Sequence, residues 1–202
     1  MKKLILFLFI SSLCAISSFA QNDAKAREIL NKTAYTLTRK GGASAKFTLS
    51  GPKVSTSGTI AIKGNKFYAQ TKETTVWYNG KTQWTYMKST DEVNITTPTQ
   101  AQRQMINPYT FINMYKSGYK LGLTANKQNY VIHMTALNKN KAIKELFITI
   151  NKSTYAPSNI KMQYQSSWST ITINNFQEKK QADNIFVFNP KKYPSAEIID
   201  LR

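Results

Sequence analysis

The architecture can be worked out from one segment, Val76-Trp77-Tyr78-Asn79-Gly80-Lys81-Thr82-Gln83-Trp84-Thr85-Tyr86-Met87. Two runs rich in aromatic and β-branched residues flank Asn79-Gly80, a pair typical of a two-residue hairpin loop. Such a loop would place Trp77 and Trp84 on one face of the hairpin, because side chains alternate along a strand. Trp77 would then lie opposite Thr82. We expect a sheet built outward from this hairpin, with the two tryptophans on its apolar face.

Residues 1–20 have the pattern of a secretory signal peptide: a positively charged start, an apolar core too short to span a bilayer, and a small-residue cleavage site. We predict cleavage after Ala20 and export to the periplasm, leaving residues 21–202 as a single domain. The chain's one cysteine, Cys14, follows Leu13 rather than the small residue that lipidation sites carry. It is therefore expected to leave with the signal peptide, so that no disulfide forms.

The chain is strongly basic, with 28 Lys and Arg against 10 Asp and Glu and a formal net charge of +18. Removing residues 1–20, which contain two lysines, lowers that charge to +16. The lysines are scattered singly through predicted strands and turns, without the basic runs that favour nucleic-acid binding. No nucleic-acid partner is expected. The charge pattern favours attraction to anionic membrane surfaces or to an acidic partner.

Hydrophobic periodicity predicts two helices. The first runs from Asp23 to Lys40 and is ended by Gly41-Gly42. The second runs from Pro108 to Lys116, after a polar, helix-compatible segment from Thr99 to Ile106. An apolar helix inserted in the middle of a strand-rich chain must cover part of the sheet.

Alternating apolar and polar residues predict about eleven strands joined by short connections. A two-residue turn at Gly64-Asn65 would pair Ile62 with Phe67 and so keep the apolar face continuous. Short connections favour an antiparallel meander. The predicted fold class is mainly β (α+β): an unclosed antiparallel β-barrel with a helical lid. Besides the central hairpin, the predicted strands include 43–50, 57–63, 91–95, 119–124, 130–137, 143–150, 158–165 and 168–176.

The sequence offers few candidate catalytic residues. His133 is the one histidine, and it alternates with apolar residues in a predicted strand, where it is expected to face solvent or cap the core. A catalytic triad or a histidine metal site would lack partners. Asp91 and Glu92 are adjacent in a strand, so they point to opposite faces and cannot act as one dyad. We predict that the protein is not an enzyme and needs no cofactor or metal.

Aromatic residues are the positive signal: ten Phe, eleven Tyr and three Trp. Most must fill a core, but a single curled sheet has a concave face too large for its own side chains to fill. We therefore predict an apolar cavity for an acyl chain or another hydrophobic ligand, closed by the two helices. The predicted cavity residues are Phe47, Leu49, Ile60, Ile62, Phe67, Trp77, Trp84 and Tyr86. The predicted lid residues are Ile29, Leu30, Leu37, Met105, Phe111, Ile112 and Tyr115.

The order of these features resembles the LolA-like proteins, the periplasmic carriers of outer-membrane lipoproteins. The similarity extends over nearly the whole chain after residue 20, and the hairpin from Trp77 to Trp84 is its most specific part. In the proteobacterial carriers an arginine that holds the lid stands where this chain has Gly64. The other matching segments are Phe47-Thr48-Leu49, Gly58-Thr59-Ile60-Ala61-Ile62-Lys63, Lys66-Phe67, Glu92-Val93, Asn107-Pro108-Tyr109, Ile148-Thr149-Ile150, Pro157 and a Phe186-Val187-Phe188 strand.

The resemblance implies a monomeric chaperone-like half-barrel that binds lipoprotein acyl chains in its cavity. Its partners would be an inner-membrane lipoprotein-releasing transporter and an outer-membrane acceptor. Two other functions are compatible with the same fold. One is an acceptor anchored at the outer membrane, against which the absence of a lipidation site argues. The other is an envelope sensor or scaffold that binds proteins, which a filled concave face would favour.

Overall fold

One sheet of twelve strands dominates the computed structural model, which describes residues 21–202 apart from 53, 100–101, 103–107, 117 and 165. The predicted signal peptide and most of the helix-compatible segment from Thr99 to Ile106, Met105 included, lie outside the described residues. Among the described residues, no helix is long and apolar enough to cross a membrane.

Two helices with bounds inside the described residues accompany the strands. The first, α1, covers residues 21–36, and the second, α2, is Pro108–Asn113, continued by a 3-10 turn at Met114–Lys116. The predicted first helix extended to Lys40, but residues 37–40 form turns before the positive φ of Gly41. The strands β1 to β12 are, in order, Ala43–Gly51, Val54–Lys63, Lys66–Thr71, Thr74–Tyr78, Gln83–Met87, Glu92–Thr96, Tyr119–Ala125, Asn129–Ala136, Ile143–Asn151, Pro157–Tyr164, Ser167–Glu178 and Glu197–Asp200.

The strand order is β12-β6-β5-β4-β3-β2-β1-β11-β10-β9-β8-β7. Neighbouring strands are antiparallel except β12 and β6, which are parallel. Two local meanders, β2 to β6 and β7 to β11, are therefore joined where β1 pairs with β11. The sheet has two free ends, so the prediction of an unclosed, mainly antiparallel half-barrel with a helical lid is confirmed.

The central hairpin has a longer loop than predicted. Trp77 lies opposite Trp84 and Tyr78 opposite Gln83, which leaves a four-residue loop from Asn79 to Thr82. The two-residue loop was wrong because Asn79 does not take the positive φ that a type I′ turn needs. Instead its side-chain oxygen accepts hydrogen bonds from the backbone N–H groups of Lys81 and Thr82, at 3.0 and 2.8 Å.

The concave face of the sheet is filled on one side. α1 and α2 pack there with the inward side chains of β7 to β10. Each fully buried aliphatic side chain contributes about 1.5–3 kcal/mol relative to exposure. The threonines of α1 that enter this core are satisfied locally, since Thr33 Oγ1 donates to the carbonyl of Ile29 at 3.0 Å. The strand residues of this core without measurable exposure are Ile132, Met134, Leu146, Ile148, Ile150 and Ile160.

The outer face of β3 to β6 is covered by a C-terminal strap, residues 179–196, which crosses the sheet from the end of β11 to β12. The predicted Phe186-Val187-Phe188 strand is wrong: Asp183–Phe186 is a 3-10 turn. After backbone hydrogen bonds from Lys179 and Gln181 to Gly42 and Gly41, the strap runs across the strands rather than alongside one, so residues 186–188 form no ladder. Its carboxylate Asp183 pairs with Lys63 and Lys66, both at 2.7 Å.

The strap packs on the tryptophans of the hairpin. The ring of Trp77 lies 5.4 Å from that of Phe188 and 5.6 Å from that of Tyr193, both edge-on. Tyr86 lies 4.6 Å from Tyr193, and Trp84 joins the same cluster. These side chains form a second core on the outer face of the sheet.

Replacing Phe188 with Ala should lower the free energy of unfolding by about 3 kcal/mol, because it leaves a void beside Trp77 and Tyr193. The free energy of unfolding is measured by denaturant titration, with tryptophan emission as the signal. Val187→Ala is the matched control, since that neighbouring side chain is 43% exposed and should change stability by less than about 0.5 kcal/mol. Equal losses in the two variants would show that the strap is not anchored through Phe188.

The two lysines hold the pKa of Asp183 at about 2, below its ordinary value of 3.8. A lowered carboxyl pKa stabilises the folded state above the unfolded-state pKa and loses that effect as the pH falls through about 2. In an NMR titration, Asp183 should remain ionised at pH 3, and the Lys63→Gln/Lys66→Gln variant should return its pKa towards the ordinary value. An unchanged pKa in that variant would contradict the ion-pair assignment.

Candidate functional site

The other half of the concave face is open and forms an apolar cavity of about 430 Å³. Its floor is made by the inward side chains of β1 to β5, and β10 and β11 form one wall. Helix α2 contributes Phe111 and Ile112, and Leu37, just after α1, closes the side next to the filled core. Cavities of roughly 300–1,000 Å³ with mainly hydrophobic linings are typical of small-molecule sites.

Register explains why the floor is apolar. Ile62 lies opposite Phe67, and Phe67 opposite Tyr78, so one row of large side chains runs across three strands. The predicted pairing of Ile62 with Phe67 is confirmed. The next row, Ile60, Ala69 and Val76, contains smaller side chains. Because the middle residue of that row has only a methyl group, the floor is recessed there.

A glycine in the interior of β2 allows strands β2 and β3 to approach closely beside the cavity. A Cβ at Gly58 would lie 2.0 Å from the backbone oxygen of Gln70 and 3.1 Å from the ring of Phe47. No other residue fits without moving the backbone, and glycine in a strand interior often marks a tight bend. Gly58 is therefore required for the local shape of the floor.

A β-bulge in β11 shapes the wall. Asn175 and Phe176 together oppose Ala45 of β1, and Asn175 has a φ of 51°. The extra residue reverses the alternation of the strand. Ile171 and Ile173 point into the cavity, and after the bulge Phe176 does so in place of Asn175.

The lining carries no charge among the described residues. Its main polar pair is on β5, where Gln83 Nε2 donates to Thr85 Oγ1 at 3.1 Å. Gln83 Oε1 is buried and has no hydrogen-bond partner among the described residues. The cavity can thus receive a long apolar group.

The structure brings together five of the eight predicted cavity residues. Phe47, Leu49, Ile60, Ile62 and Phe67 all line the cavity.

The other three predicted cavity residues do not line it: Trp77, Trp84 and Tyr86 lie on the outer face, under the strap. Their predicted position was wrong because the connection between β3 and β4 aligns Phe67 with Tyr78, which turns Trp77 away from the cavity.

The predicted lid residues divide into two groups. Leu37, Phe111 and Ile112 line the cavity, whereas Ile29, Leu30 and Tyr115 are buried in the core beside it. Met105 lies outside the described residues.

Sequence reasoning also missed the wall formed by β10 and β11, including Ile160, Ile171, Ile173 and Phe176. Their alternation was visible in the sequence. Their nearness to β1 depends on a pairing between distant parts of the chain.

Tyr115 tethers the segment that carries α2. Its hydroxyl donates to Asn31 Oδ1 of α1 at 2.5 Å, and the guanidinium of Arg27 lies 5.6 Å from the centre of its ring. Arg27 also donates to the backbone oxygen of Tyr115 at 3.5 Å and pairs with Asp23 at 2.6 Å. These contacts fix the position of α2 through the first helix.

The open half-barrel, the helix across its concave face and the apolar cavity between them define the LolA-like class of fold. The chain belongs to the family described as outer membrane lipoprotein carrier protein LolA, whose profile matches residues 16–166. A comparison with curated proteins finds no match.

Solved structures share the fold at low sequence identity. An uncharacterized conserved protein from Thermus thermophilus has a TM-score of 0.59 at 12% identity, over 87% of this chain and 99% of that one. An outer membrane lipoprotein-sorting protein domain from Vibrio parahaemolyticus has a TM-score of 0.50 at 11% identity, over 85% and 99%. MucB has a TM-score of 0.51 at 11% identity, over 82% of this chain and 63% of its own.

Removing the tether at Tyr115 should loosen α2 without unfolding the sheet. In Tyr115→Phe, the backbone amides of residues 111–113 should exchange with deuterium several-fold faster, because a hydrogen bond of about 1 kcal/mol is lost. Tyr35→Phe is the control, since that α1 side chain is 62% exposed. The tether would be refuted if both variants exchanged at the rate of the parent protein.

Proposed function

We propose that this protein is a non-enzymatic carrier of the periplasm that encloses the acyl chains of lipoproteins in the apolar cavity and takes them from the inner to the outer membrane. The observation that carries the proposal is the uncharged cavity of about 430 Å³ in a chain of the LolA family. The predicted signal peptide, with cleavage after Ala20, supports export. The partners would be a lipoprotein-releasing transporter and an outer-membrane acceptor.

Binding would be driven by removal of methylene groups from water. Each buried CH₂ is worth about 0.8 kcal/mol, so an acyl chain needs no charged contact to be held. The small side chains of Ala69 and Val76 leave room on the floor of the cavity, and Phe47 and Phe176 supply apolar sides.

Release would use the helical side of the cavity. Phe111 and Ile112 line the cavity from α2, and α2 is held to α1 through Tyr115 and Asn31. A segment held by a few contacts can open at a cost of a few kcal/mol. In this scheme the family's arginine latch is replaced, since Gly64 offers no side chain and a Cβ built there meets nothing within 4 Å. The tether between α1 and α2 takes over that role.

The half-open concave face favours a carrier over a scaffold that binds proteins through a filled sheet. Helix α1 fills the part of this face beside β7 to β10, but β1 to β5 keep theirs accessible. A scaffold would gain nothing from a recessed apolar floor, whereas an acyl carrier requires one.

Filling the cavity tests the proposal. Ala69→Phe adds a ring to the recessed part of the floor and should reduce the affinity for a fluorescent fatty acid at least about tenfold, because the ring occupies the space of several methylenes. Displacement titration measures the affinity, and mass spectrometry should show less lipid co-purifying with the variant.

Gln70→Phe is the matched control, since this neighbouring residue is exposed on the other face. Circular dichroism and the thermal midpoint establish that both variants fold. Undiminished fatty-acid binding by a folded Ala69→Phe protein would exclude the cavity as the acyl site.

A further inference from the structure

A second and larger cavity, about 760 Å³, lies on the opposite face of the same sheet. It is a groove between the C-terminal strap and the outer side chains of β1 to β4 and β11. Lys46, Thr59 and Tyr68 line it from the sheet, and these residues are sequence neighbours of cavity residues that point the other way. The groove is therefore separated from the acyl cavity by one layer of strands.

Carboxamide side chains dominate the chemistry of the groove. A carboxamide offers both hydrogen-bond donors and an acceptor, which matches a hydroxyl group, itself donor and acceptor. Two come from β11 and three from the strap: Asn175, Gln177, Gln181, Asn184 and Asn189. Within the strap, Gln181 Nε2 donates to the carbonyl of Lys179 at 3.3 Å and Asn189 Oδ1 accepts from the backbone N–H of Lys191 at 3.1 Å, so these two present their remaining hydrogen-bonding atoms. Such a set suits a ligand with many hydroxyl groups.

Three lysines, Lys46, Lys179 and Lys192, add positive charge to the groove. None of them forms an ion pair within the described part of the chain, and no described lining residue is a carboxylate. The nearby acids are already engaged: Asp183 pairs with Lys63 and Lys66, and Glu178 with Arg39. The groove is thus set to attract an anion.

Aromatic residues form one wall. Tyr68 and Trp77 lie 6.0 Å apart, centre to centre, and Tyr193 of the strap lies edge-on to Trp77. Burial raises the pKa of Tyr68, so its hydroxyl stays protonated and uncharged. Aromatic rings with a polar tip give an apolar surface beside hydrogen-bonding groups, as the C–H face of a sugar ring requires.

The bulge in β11 aims two of the carboxamides at the groove. The alternation that puts Ile171 and Ile173 in the acyl cavity would also put residue 175 there. Because of the extra residue, Asn175 and Gln177 face the groove instead. Asn175 is a non-glycine residue held at positive φ, a conformation that clusters at functional sites.

The groove does not suit an acyl chain or an extended peptide. Its lining mixes apolar surface with carboxamides and three lysines, and an acyl chain would leave those polar groups unsatisfied. An extended peptide binds most readily by adding to a free strand edge. The sheet strands that form the groove, β1 to β4 and β11, are paired on both sides, so their backbone groups are already used.

We infer that this groove binds an acidic saccharide, such as a uronate-containing oligosaccharide, independently of the acyl cavity. The carboxamides bind the hydroxyl groups, the three lysines bind the acidic groups, and the aromatic wall packs against the sugar rings. The saccharide is either free or the headgroup of a glycolipid, since both present the same chemistry.

The probe is a trisaccharide of galacturonic acid, titrated into the full mature protein by calorimetry at low salt, with maltotriose as the neutral analogue. The acidic trisaccharide should bind and quench tryptophan emission, and it should bind more weakly as salt is added. Maltotriose should bind at least about tenfold more weakly, since it makes no charge-assisted hydrogen bonds.

Matched variants distinguish the contribution of the groove lysines to affinity from that of the protein's overall positive charge. Lys46→Gln/Lys192→Gln should reduce affinity at least about tenfold, because it removes two charge-assisted contacts. Lys120→Gln/Lys127→Gln removes the same charge from exposed positions elsewhere and should leave affinity unchanged. Ala69→Phe should also leave it unchanged, so that this site is tested apart from the acyl cavity.

Equal losses in the two lysine variants, or no binding of the acidic trisaccharide, would overturn the inference. Binding of hexaglutamate with the same dependence on Lys46 and Lys192 would overturn it in favour of an acidic peptide. Binding to vesicles of phosphatidylcholine, with and without a sialic-acid ganglioside, distinguishes a glycolipid headgroup from a free saccharide as the natural ligand. Binding to the ganglioside vesicles through the groove lysines supports a glycolipid headgroup, and binding of the soluble trisaccharide alone supports a free saccharide.

Discussion

A single layer of strands has two faces, and each apolar face must be covered by something that is not part of the sheet. This constraint shapes the whole molecule. On the concave face, α1 covers one half and leaves the other as a cavity. On the outer face, the C-terminal strap covers the tryptophans of the central hairpin and leaves a groove beside them that is lined by carboxamides, lysines and apolar side chains. Both sites are consequences of incomplete cover.

Local pairing could be predicted from the sequence, since short turns fix it. The pairing of Ile62 with Phe67 followed from a two-residue turn and was confirmed. The prediction that Trp77 and Trp84 share a face is confirmed although the predicted loop length was wrong. Loops of two and four residues both keep the same alternation of side chains. The error itself arose from Asn79, whose side chain caps a longer loop instead of adopting positive φ.

To predict which face of the sheet carries the tryptophans, the strand register must also be followed through the turn between β3 and β4. A connection with an even number of residues between β3 and β4 places Val76 and Tyr78, not Trp77, on the face of Phe67. The density of aromatic residues suggested that the tryptophans face the cavity. That signal does not distinguish the two faces of the sheet, because an outer face covered by a strap is as apolar as a cavity. The wall from β10 and β11 could not be predicted, since no local signal pairs Phe47 with Ile173.

The junction between β1 and β11 also has a consequence for how the protein folds. It joins residues more than a hundred positions apart, as does the pairing of β6 with β12. Contacts of such separation form late, because loop-closure entropy must be overcome first. The two meanders can form from neighbouring strands before that step, whereas the cavity spans the junction and is complete only after it. The protein would therefore acquire its apolar cavity at the end of folding, when little unpaired strand edge remains exposed for misassembly.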